Sequence, residues 1–193
     1  YNGFYNRMKK LQQPEYSDIT LAFALTGERS GQACKYYSLG LKSDLHDIVL
    51  DIAGNGEISL PYDEALKDSN AIIEVLQADN AEPCQVQFRL RSRMRLATTL
   101  DHTTLTHYQR QFDTLLDDMA GLGKYWLPEV SGVIVQLPDA SVTADMDAAA
   151  KSLTQCKDDR CEIRLDNAAA EHAQWQFSQR PLYLLPLISS GTP

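Results

Sequence analysis

The sequence lacks long hydrophobic runs and the motifs that mark common enzyme sites. Its longest apolar stretch, from Leu182 to Ile188, has the length of a strand and contains Pro186. A membrane-spanning helix needs ~20 apolar residues, so the sequence excludes one. There is no HExxH motif, phosphate-binding glycine loop or nucleophile elbow. The glycines at 54–56 and 121–123 do not lie between a strand and a helix, as a dinucleotide-binding loop does. We therefore expect no cofactor, no metal ion and no catalytic residue.

Positive charge is also in short supply. The 193 residues include 26 Asp and Glu against 18 Lys and Arg, which gives a net charge of −8. This balance argues against bulk electrostatic binding to nucleic acid or to anionic lipid. The hydrophobic fraction of 44% is that of an ordinary globular protein. Because the chain starts at Tyr1 rather than Met, we expect it to be processed or trimmed, with any signal peptide lying outside it.

Cysteine gives the strongest indication of the compartment. The four cysteines allow three pairings, and we favour Cys34–Cys84 and Cys156–Cys161. The second pair encloses a short polar turn that would join two strand ends. Four reduced thiols in the cytosol, or a zinc site, are the alternatives, but no second close pair completes a zinc motif. Two disulfides favour an exported protein in an oxidising compartment.

The hydrophobic periodicity predicts an α+β protein in which amphipathic helices pack on one face of an antiparallel sheet. Helices are expected near residues 1–11, from about Thr104 to Gly121, and over Ala144–Thr154 with Thr143 as N-cap. The stretch Asp63–Gln77 is interpreted as a short turn followed by a strand. Further strands are predicted at 17–25, 33–43, 47–53, 57–60, 84–96, 130–138, 161–167, 173–179 and 182–189, with 47–53 and 57–60 forming a hairpin around Gly54-Asn55-Gly56.

The two halves of the chain have similar patterns. Each opens with an amphipathic helix and continues into strands, and each has a Leu-Pro pair whose proline lies 23 residues before a cysteine, at Pro61 and Pro138. The two alignments require different offsets, so an exact repeat does not follow. The pattern favours two helix-plus-sheet units, residues 1–103 and 104–193, with one continuous domain 1–193 as the alternative.

Three segments carry a resemblance to a known family: CKYYSLGLKSD, GEISLPYDEALKD and the closing PLYLLPLI. They resemble an uncharacterised family of exported proteins from gammaproteobacteria. The resemblance covers most of the chain and implies a location in the cell envelope, in the periplasm, and an unknown function. It transfers no catalytic residue, because the similar segments have a structural character.

The most specific surface feature is a row of alternating arginines. In CQVQFRLRSRMRL, a strand would project Arg89, Arg91, Arg93 and Arg95 from one face, roughly 7 Å apart. Four like charges in a row repel each other unless something neutralises them. Carboxylates on neighbouring strands, such as Glu74, are the structural explanation. An anionic ligand or an acidic partner is the functional one.

These observations favour a non-enzymatic envelope protein that contacts an anionic ligand or an acidic partner through the arginine-lined strand. The alternative is a hydrolase acting on envelope components through an unrecognised site. Such a site would need a pocket with histidine and carboxylates in hydrogen-bond contact. A third hypothesis is an adaptor that uses an exposed strand edge, such as residues 71–77. The ligand, the partner and the oligomeric state are not determined by the sequence.

Overall fold

The computed structural model describes residues 1–53, 56–121, 129–165 and 171–189. Its contacts divide the chain into two compact units. Unit 1 comprises Tyr1–Gln13 and Leu21–Arg89, and unit 2 comprises Pro14–Thr20 and Leu90–Pro193. The predicted division at residues 103 and 104, and the predicted duplication, stay predictions. None of the helices in the described ranges is long and apolar enough to cross a membrane.

Unit 1 contains two short helices and parts of two three-stranded sheets, ordered β4-β1-β6 and β3-β2-β5. Its elements are α1 (Asn2–Lys10), β1 (Ile19–Gly27), β2 (Ser38–Lys42), β3 (Asp47–Val49), β4 (Glu57–Ile58), α2 (Glu64–Asp68), β5 (Ile72–Leu76) and β6 (Cys84–Ser92). Strands β1 and β6 both cross the boundary between the units.

The core of unit 1 is built from the alternating residues of these strands and from one face of each helix. Its buried members are Met8, Phe23, Leu25, Leu39, Leu41, Leu50, Ile58, Leu66 and Ala71. Cys34 and Cys84 pack against this cluster and form a disulfide with a Cα–Cα distance of 5.8 Å. Asp63 begins α2 by accepting hydrogen bonds from the backbone N–H groups of Ala65 and Leu66.

Unit 2 is organised around the antiparallel sheet β10-β11-β8-β13 and a smaller sheet β7-β12-β9. Its elements are a 3-10 turn (Pro14–Tyr16), β7 (Thr99–Asp101), α3 (His102–Ala120), β8 (Val130–Gln136), β9 (Ala144–Met146), α4 (Ala148–Leu153), β10 (Thr154–Lys157), β11 (Arg160–Arg164), β12 (Gln174–Phe177) and β13 (Tyr183–Ile188). Cys156 and Cys161 lie directly opposite each other on β10 and β11 and form the second disulfide.

One face of the larger sheet is buried and the other is partly exposed. Cys161, Val135 and Leu184 lie in one row across β11, β8 and β13, and each is at most 1% exposed. The amphipathic helix α3 packs against β8 and β13 with Leu105, Phe112 and Leu115 fully buried. The predicted α+β class with antiparallel sheets is confirmed, as are two disulfides with the favoured pairing.

Three local predictions were wrong. The predicted helix over Ala144–Thr154 starts only at Ala148, because residues 144–146 pair with β12 and Asp147, not Thr143, caps the helix. The predicted hairpin strands belong to different sheets: β3 pairs with β2 and β4 pairs with β1. The turn itself is closed by an Ile52–Ile58 bridge and by hydrogen bonds from the N–H of Ala53 to the carbonyl of Glu57 and from the N–H of Ser59 to that of Asp51, so the prediction fails only for the pairing beyond the turn. Gly54 and Asn55 fall outside the described residues.

The third correction concerns the arginine-rich strand. The alternation predicts a strand from Cys84 to Leu96, but β6 ends at Ser92. Beyond it the backbone N–H of Arg93 donates to the carbonyl of Asp18, 2.7 Å away, and the chain bends there. A contact with a residue distant in sequence therefore ends a strand that the local pattern would continue.

Candidate functional site

The four predicted arginines do not form one row. Only Arg89 and Arg91 lie on β6; Arg89 belongs to unit 1, and Arg91, Arg93 and Arg95 belong to unit 2. The guanidinium of Arg93 donates to the carbonyl of Ile19, with Nη2 at 3.2 Å, so this side chain holds a backbone segment in place. Arg95 is exposed. Whether these residues bind a ligand stays a prediction.

Arg91 lies beside the exposed side of the larger sheet of unit 2. Its Nη1 donates to the carbonyl of Ser92 at 2.8 Å, and its guanidinium carbon lies 5.6 Å from the centre of the Tyr183 ring. Tyr183 is the first residue of β13 and is opposite Gln136 of β8, which in turn is opposite Arg160 of β11. Arg91 is therefore close to one end of a row that crosses the sheet to Arg160.

We call this exposed side of the sheet the basic sheet face. It consists of the side chains that alternate with the row of Cys161, Val135 and Leu184: Lys157, Arg160, Glu162, Arg164, Ile134, Gln136, Tyr183, Leu185 and Leu187, together with Arg91. Ile134 at its centre is itself only 5% exposed. The period of two in β11 produces it, because Cys161 and Ile163 point into the core while Arg160 and Arg164 are exposed. Four cationic side chains thus share one surface with one Glu.

The basic sheet face contains a depression of about 550 Å³. Arg160, Glu162 and Arg164 line one side of it, Ile134 and Leu187 contribute apolar surface, and Ser131 and Ser189 are also at its wall. Gly132 lies between Arg164 and Leu187 in the register of the strands. A Cβ atom there would be 2.0 Å from the carbonyl oxygen of Ile163, so this row requires glycine. The volume is in the range of small-ligand sites.

The charges on this face are only partly neutralised. Arg160 Nη2 lies 3.3 Å from Glu162 Oε1, and both side chains are about half exposed, at 47% and 42%. Gln136 donates to Asp159 Oδ2 at 2.8 Å. Arg164 makes no ion pair or side-chain hydrogen bond with any described residue. Among the described residues, Glu162 is thus the one carboxylate that forms an ion pair with an arginine of β11.

A second polar cluster ties the segment Pro14–Thr20 to α3 within unit 2. His107 Nε2 lies 2.8 Å from Asp18 Oδ2, and Gln111 donates to the same carboxylate oxygen at 3.1 Å. Because a carboxylate accepts only, the imidazole donates through Nε2. Tyr16 donates to Asp118; burial, followed by this hydrogen bond, raises the pKa of the Tyr16 hydroxyl above its ordinary value of 10.0. These contacts anchor a short segment by its side chains.

This cluster is the histidine–carboxylate contact that the hydrolase hypothesis requires, but it lacks a nucleophile. The pair is solvent-exposed, at 56% for His107 and 36% for Asp18. Within the described ranges, no serine, threonine or cysteine side chain is hydrogen-bonded to His107. No group of three or more histidine, cysteine or acidic residues in those ranges is placed to hold a metal ion.

Sequence reasoning missed Arg160 and Arg164, although a signal for them was present. The segment 160–164 alternates charged and apolar residues as strictly as the segment after Cys84 does. Two arginines at the ends of a five-residue segment predict an alternating strand but do not by themselves indicate a binding site. The buried aromatic residues Trp175 and Phe177 pack in the core of unit 2 and provide no binding platform.

The chain belongs to the DUF2987 family of proteins of unknown function, whose family pattern it matches over residues 1–137. The matched range includes all four arginines predicted from the sequence and ends just after β8, before β11. No curated protein and no solved structure matches the chain.

Proposed function

We propose that the protein is a non-enzymatic binding protein of the periplasm that holds an anionic group of a ligand or an acidic partner on the basic sheet face. The observation that carries this proposal is the pair Arg160 and Arg164, which project from one side of β11 into a depression of about 550 Å³. In a chain with net charge −8, such a local excess of positive charge is an unusual feature.

The chemistry of the depression supports an anion with a small apolar portion. A guanidinium binds carboxylate or phosphate oxygens through two parallel hydrogen bonds, and such charge-assisted bonds are stronger than neutral ones. Arg164 is the primary anchor because Glu162 competes only for Arg160. Ile134 and Leu187 supply apolar contact beside it. Arg91 and Tyr183 extend the surface for a larger partner.

The compartment is supported by the cysteines and by the resemblance to exported gammaproteobacterial proteins. All four cysteines are disulfide-bonded, and disulfides persist in oxidising compartments such as the periplasm. Thiol alkylation of protein taken from its native compartment tests this. Periplasmic protein should gain no adducts before reduction and four after it; four adducts without reductant would contradict the assignment.

The binding proposal is tested with the double variant Arg160→Gln/Arg164→Gln and the matched control Arg180→Gln. Arg180 is exposed in the same unit and outside the basic sheet face. Two probes are titrated while amide and arginine Nε–H NMR signals are recorded: inorganic phosphate, and a peptide rich in Asp and Glu. We expect shifts concentrated on β11 and β8, at least a tenfold loss of affinity in the double variant, and no change in the control.

Each outcome of this experiment is informative. Binding of phosphate points to a small anionic ligand, and binding of the acidic peptide alone points to a protein partner. Equal affinities for wild type and double variant would refute the proposal, as would an equal loss in Arg180→Gln. The hydrolase hypothesis is weaker, because His107 contacts Asp18 and Gln111 but no nucleophile among the described residues.

A further inference from the structure

The second interaction surface is an open strand edge in unit 1. Strand β5 lies at the end of the sheet β3-β2-β5 and pairs only with β2 among the described residues. The carbonyl of Leu39 in β2 accepts from Leu50, 3.0 Å away on the β3 side. The neighbouring residue Gly40 therefore directs its backbone groups towards β5, where its partner is Glu74.

This register determines which backbone groups of β5 are unused. Since Glu74 bonds towards β2, the adjacent Ile73 and Val75 direct their N–H and C=O groups away from the sheet. No described residue forms a backbone hydrogen bond to them. Two donors and two acceptors thus line the edge at the spacing that an added strand requires.

The side chains of β5 favour an apolar partner. Ile72 is 60% exposed and Leu76 is 50% exposed, and both lie on the solvent side with Glu74 between them. Ile73 and Val75 are partly buried against the core of unit 1, which fixes the strand in place. Glu74 Oε2 lies 2.6 Å from Lys42 Nζ on the adjacent strand.

Two other edge strands, β13 and β6, are protected. On β13, the N–H of Leu184 donates to Ser92 Oγ at 3.0 Å rather than to β8, so it faces outward. Pro186, two residues on, faces the same way and has no N–H to offer. On the edge strand β6, exposed polar residues alternate at Gln85, Gln87 and Arg89. Strand β5 has no proline, and its single charged residue, Glu74, contacts Lys42 through one oxygen, which leaves acceptor capacity for a second cation.

We infer that β5 docks an extended segment of a partner protein, which adds as an antiparallel strand with an apolar–basic–apolar pattern on the solvent side. The basic residue would lie opposite Glu74, and the two apolar residues opposite Ile72 and Leu76. A second copy of this chain does not satisfy the pattern. The register that uses Ile73 and Val75 of both copies would place Glu74 directly against Glu74 of the second copy, and like charges in that position are destabilising.

The test uses the full disulfide-bonded chain and a labelled peptide, Thr-Val-Thr-Lys-Thr-Val-Thr, with a second peptide in which Glu replaces Lys. We expect the Lys peptide to bind at least tenfold more tightly than the Glu peptide. Variant Val75→Pro should abolish binding, because it removes an outward N–H that makes no bond in the sheet. The matched control Val75→Thr keeps the N–H and should bind normally.

Two further measurements separate the proposal from its rivals. The variant Glu74→Lys should reverse the preference between the peptides. Hydrogen exchange on the wild type should slow at the amides of Ile73 and Val75 when the Lys peptide is added, which tests the site even if Val75→Pro fails to fold. Equal binding of both peptides, or protection elsewhere, would overturn the inference. So would a dimer that Val75→Pro dissociates, since a second copy would then be the occupant.

Discussion

The two units each contain antiparallel sheet and one disulfide, but the disulfides close loops of very different length. Cys34 and Cys84 are 50 residues apart and join separate parts of unit 1 beside its core. Cys156 and Cys161 are 5 residues apart and join two strands that already pair in register. Unit 1 has only two- to nine-residue strands and short helices, whereas unit 2 has a 19-residue helix on a four-stranded sheet. The comparison indicates that unit 1 depends on covalent closure and unit 2 on packing.

The largest predicted effect is the loss of the unit 1 disulfide. Chain entropy predicts that Cys34→Ser/Cys84→Ser lowers the free energy of unfolding by about 4 kcal/mol, against about 2 kcal/mol for Cys156→Ser/Cys161→Ser. Urea titrations followed by hydrogen exchange assign the loss to each unit, and fluorescence adds a unit 2 probe because Trp175 is buried in unit 2.

An equal loss of stability in the two double variants would contradict this difference between the units. So would a Cys34→Ser/Cys84→Ser variant that destabilises unit 2 as much as unit 1. A single variant, Cys34→Ser, is an unsuitable control because it leaves a free thiol at Cys84. The double variants avoid this and differ from each other mainly in loop length.

How far the sequence predicts the fold depends on whether local or distant contacts decide an element. Helix α1 and strands β8 and β13 follow their own periodicity, and the prediction of each is confirmed. In the Asp63–Gln77 stretch the strand is confirmed, and the predicted short turn before it is the five-residue helix α2. The end of β6 at Ser92 depends on Asp18, more than seventy positions earlier in the chain, and no local pattern encodes it. The shortened helix α4 likewise reflects pairing of Ala144–Met146 with β12, a contact that overrides the helical propensity of alanine.

The next largest predicted loss of stability comes from replacing one glycine in each unit. Gly132→Ala in β8 would place a Cβ 2.0 Å from the carbonyl oxygen of Ile163, and Gly40→Ala in β2 would place one 2.9 Å from that of Ile48. Both contacts are with backbone, so the strands must separate. We expect a loss of about 3 kcal/mol for Gly132→Ala and about 1 kcal/mol for Gly40→Ala, measured by thermal unfolding.

These variants also separate the two interaction surfaces. Gly132 lies between Arg164 and Leu187, so folded Gly132→Ala should bind phosphate more weakly while peptide binding at β5 is unchanged. Gly40→Ala should weaken peptide binding at β5 and leave phosphate binding unchanged, because Gly40 is the partner of Glu74. Loss of both activities in either variant would show general unfolding instead of a local effect.

The candidate site was less predictable than the fold. An alternating strand reveals which residues are exposed together, and by that rule Arg160 and Arg164 were accessible from the sequence. The local sequence does not show which strands lie next to each other. The row from Arg160 through Gln136 to Tyr183 joins three strands whose register depends on the whole sheet. The free edge of β5 has the same origin, since the sheet order is what shows that β2 alone pairs with it among the described residues.

The smallest predicted loss of stability comes from removing a helix N-cap in each unit. Asp101 begins α3 in unit 2 by accepting from the backbone N–H of Thr104 at 2.7 Å, and Asp63 begins α2 in unit 1. Asp101→Ala should lower the free energy of unfolding by about 1 kcal/mol at pH 7. Asp63→Ala should cost less, because α2 has only five residues and its one buried residue, Leu66, is held by the core.

The Asp101 effect should depend on pH, and its direction follows from the charge. The backbone hydrogen bond from Thr104, followed by the side-chain hydrogen bond of the same residue, lowers the pKa of the Asp101 carboxyl. A carboxyl whose pKa is lower in the folded state stabilises the fold above its unfolded pKa, about 3.9, and loses that contribution as the pH falls through the folded value. The stability difference between wild type and Asp101→Ala should therefore be constant from pH 7 to about 5 and shrink below pH 4. Asp101→Asn keeps an acceptor without the charge, so its stability relative to Asp101→Ala should not vary with pH. A difference between wild type and Asp101→Ala that grows on acidification would show that the carboxylate is not the cap.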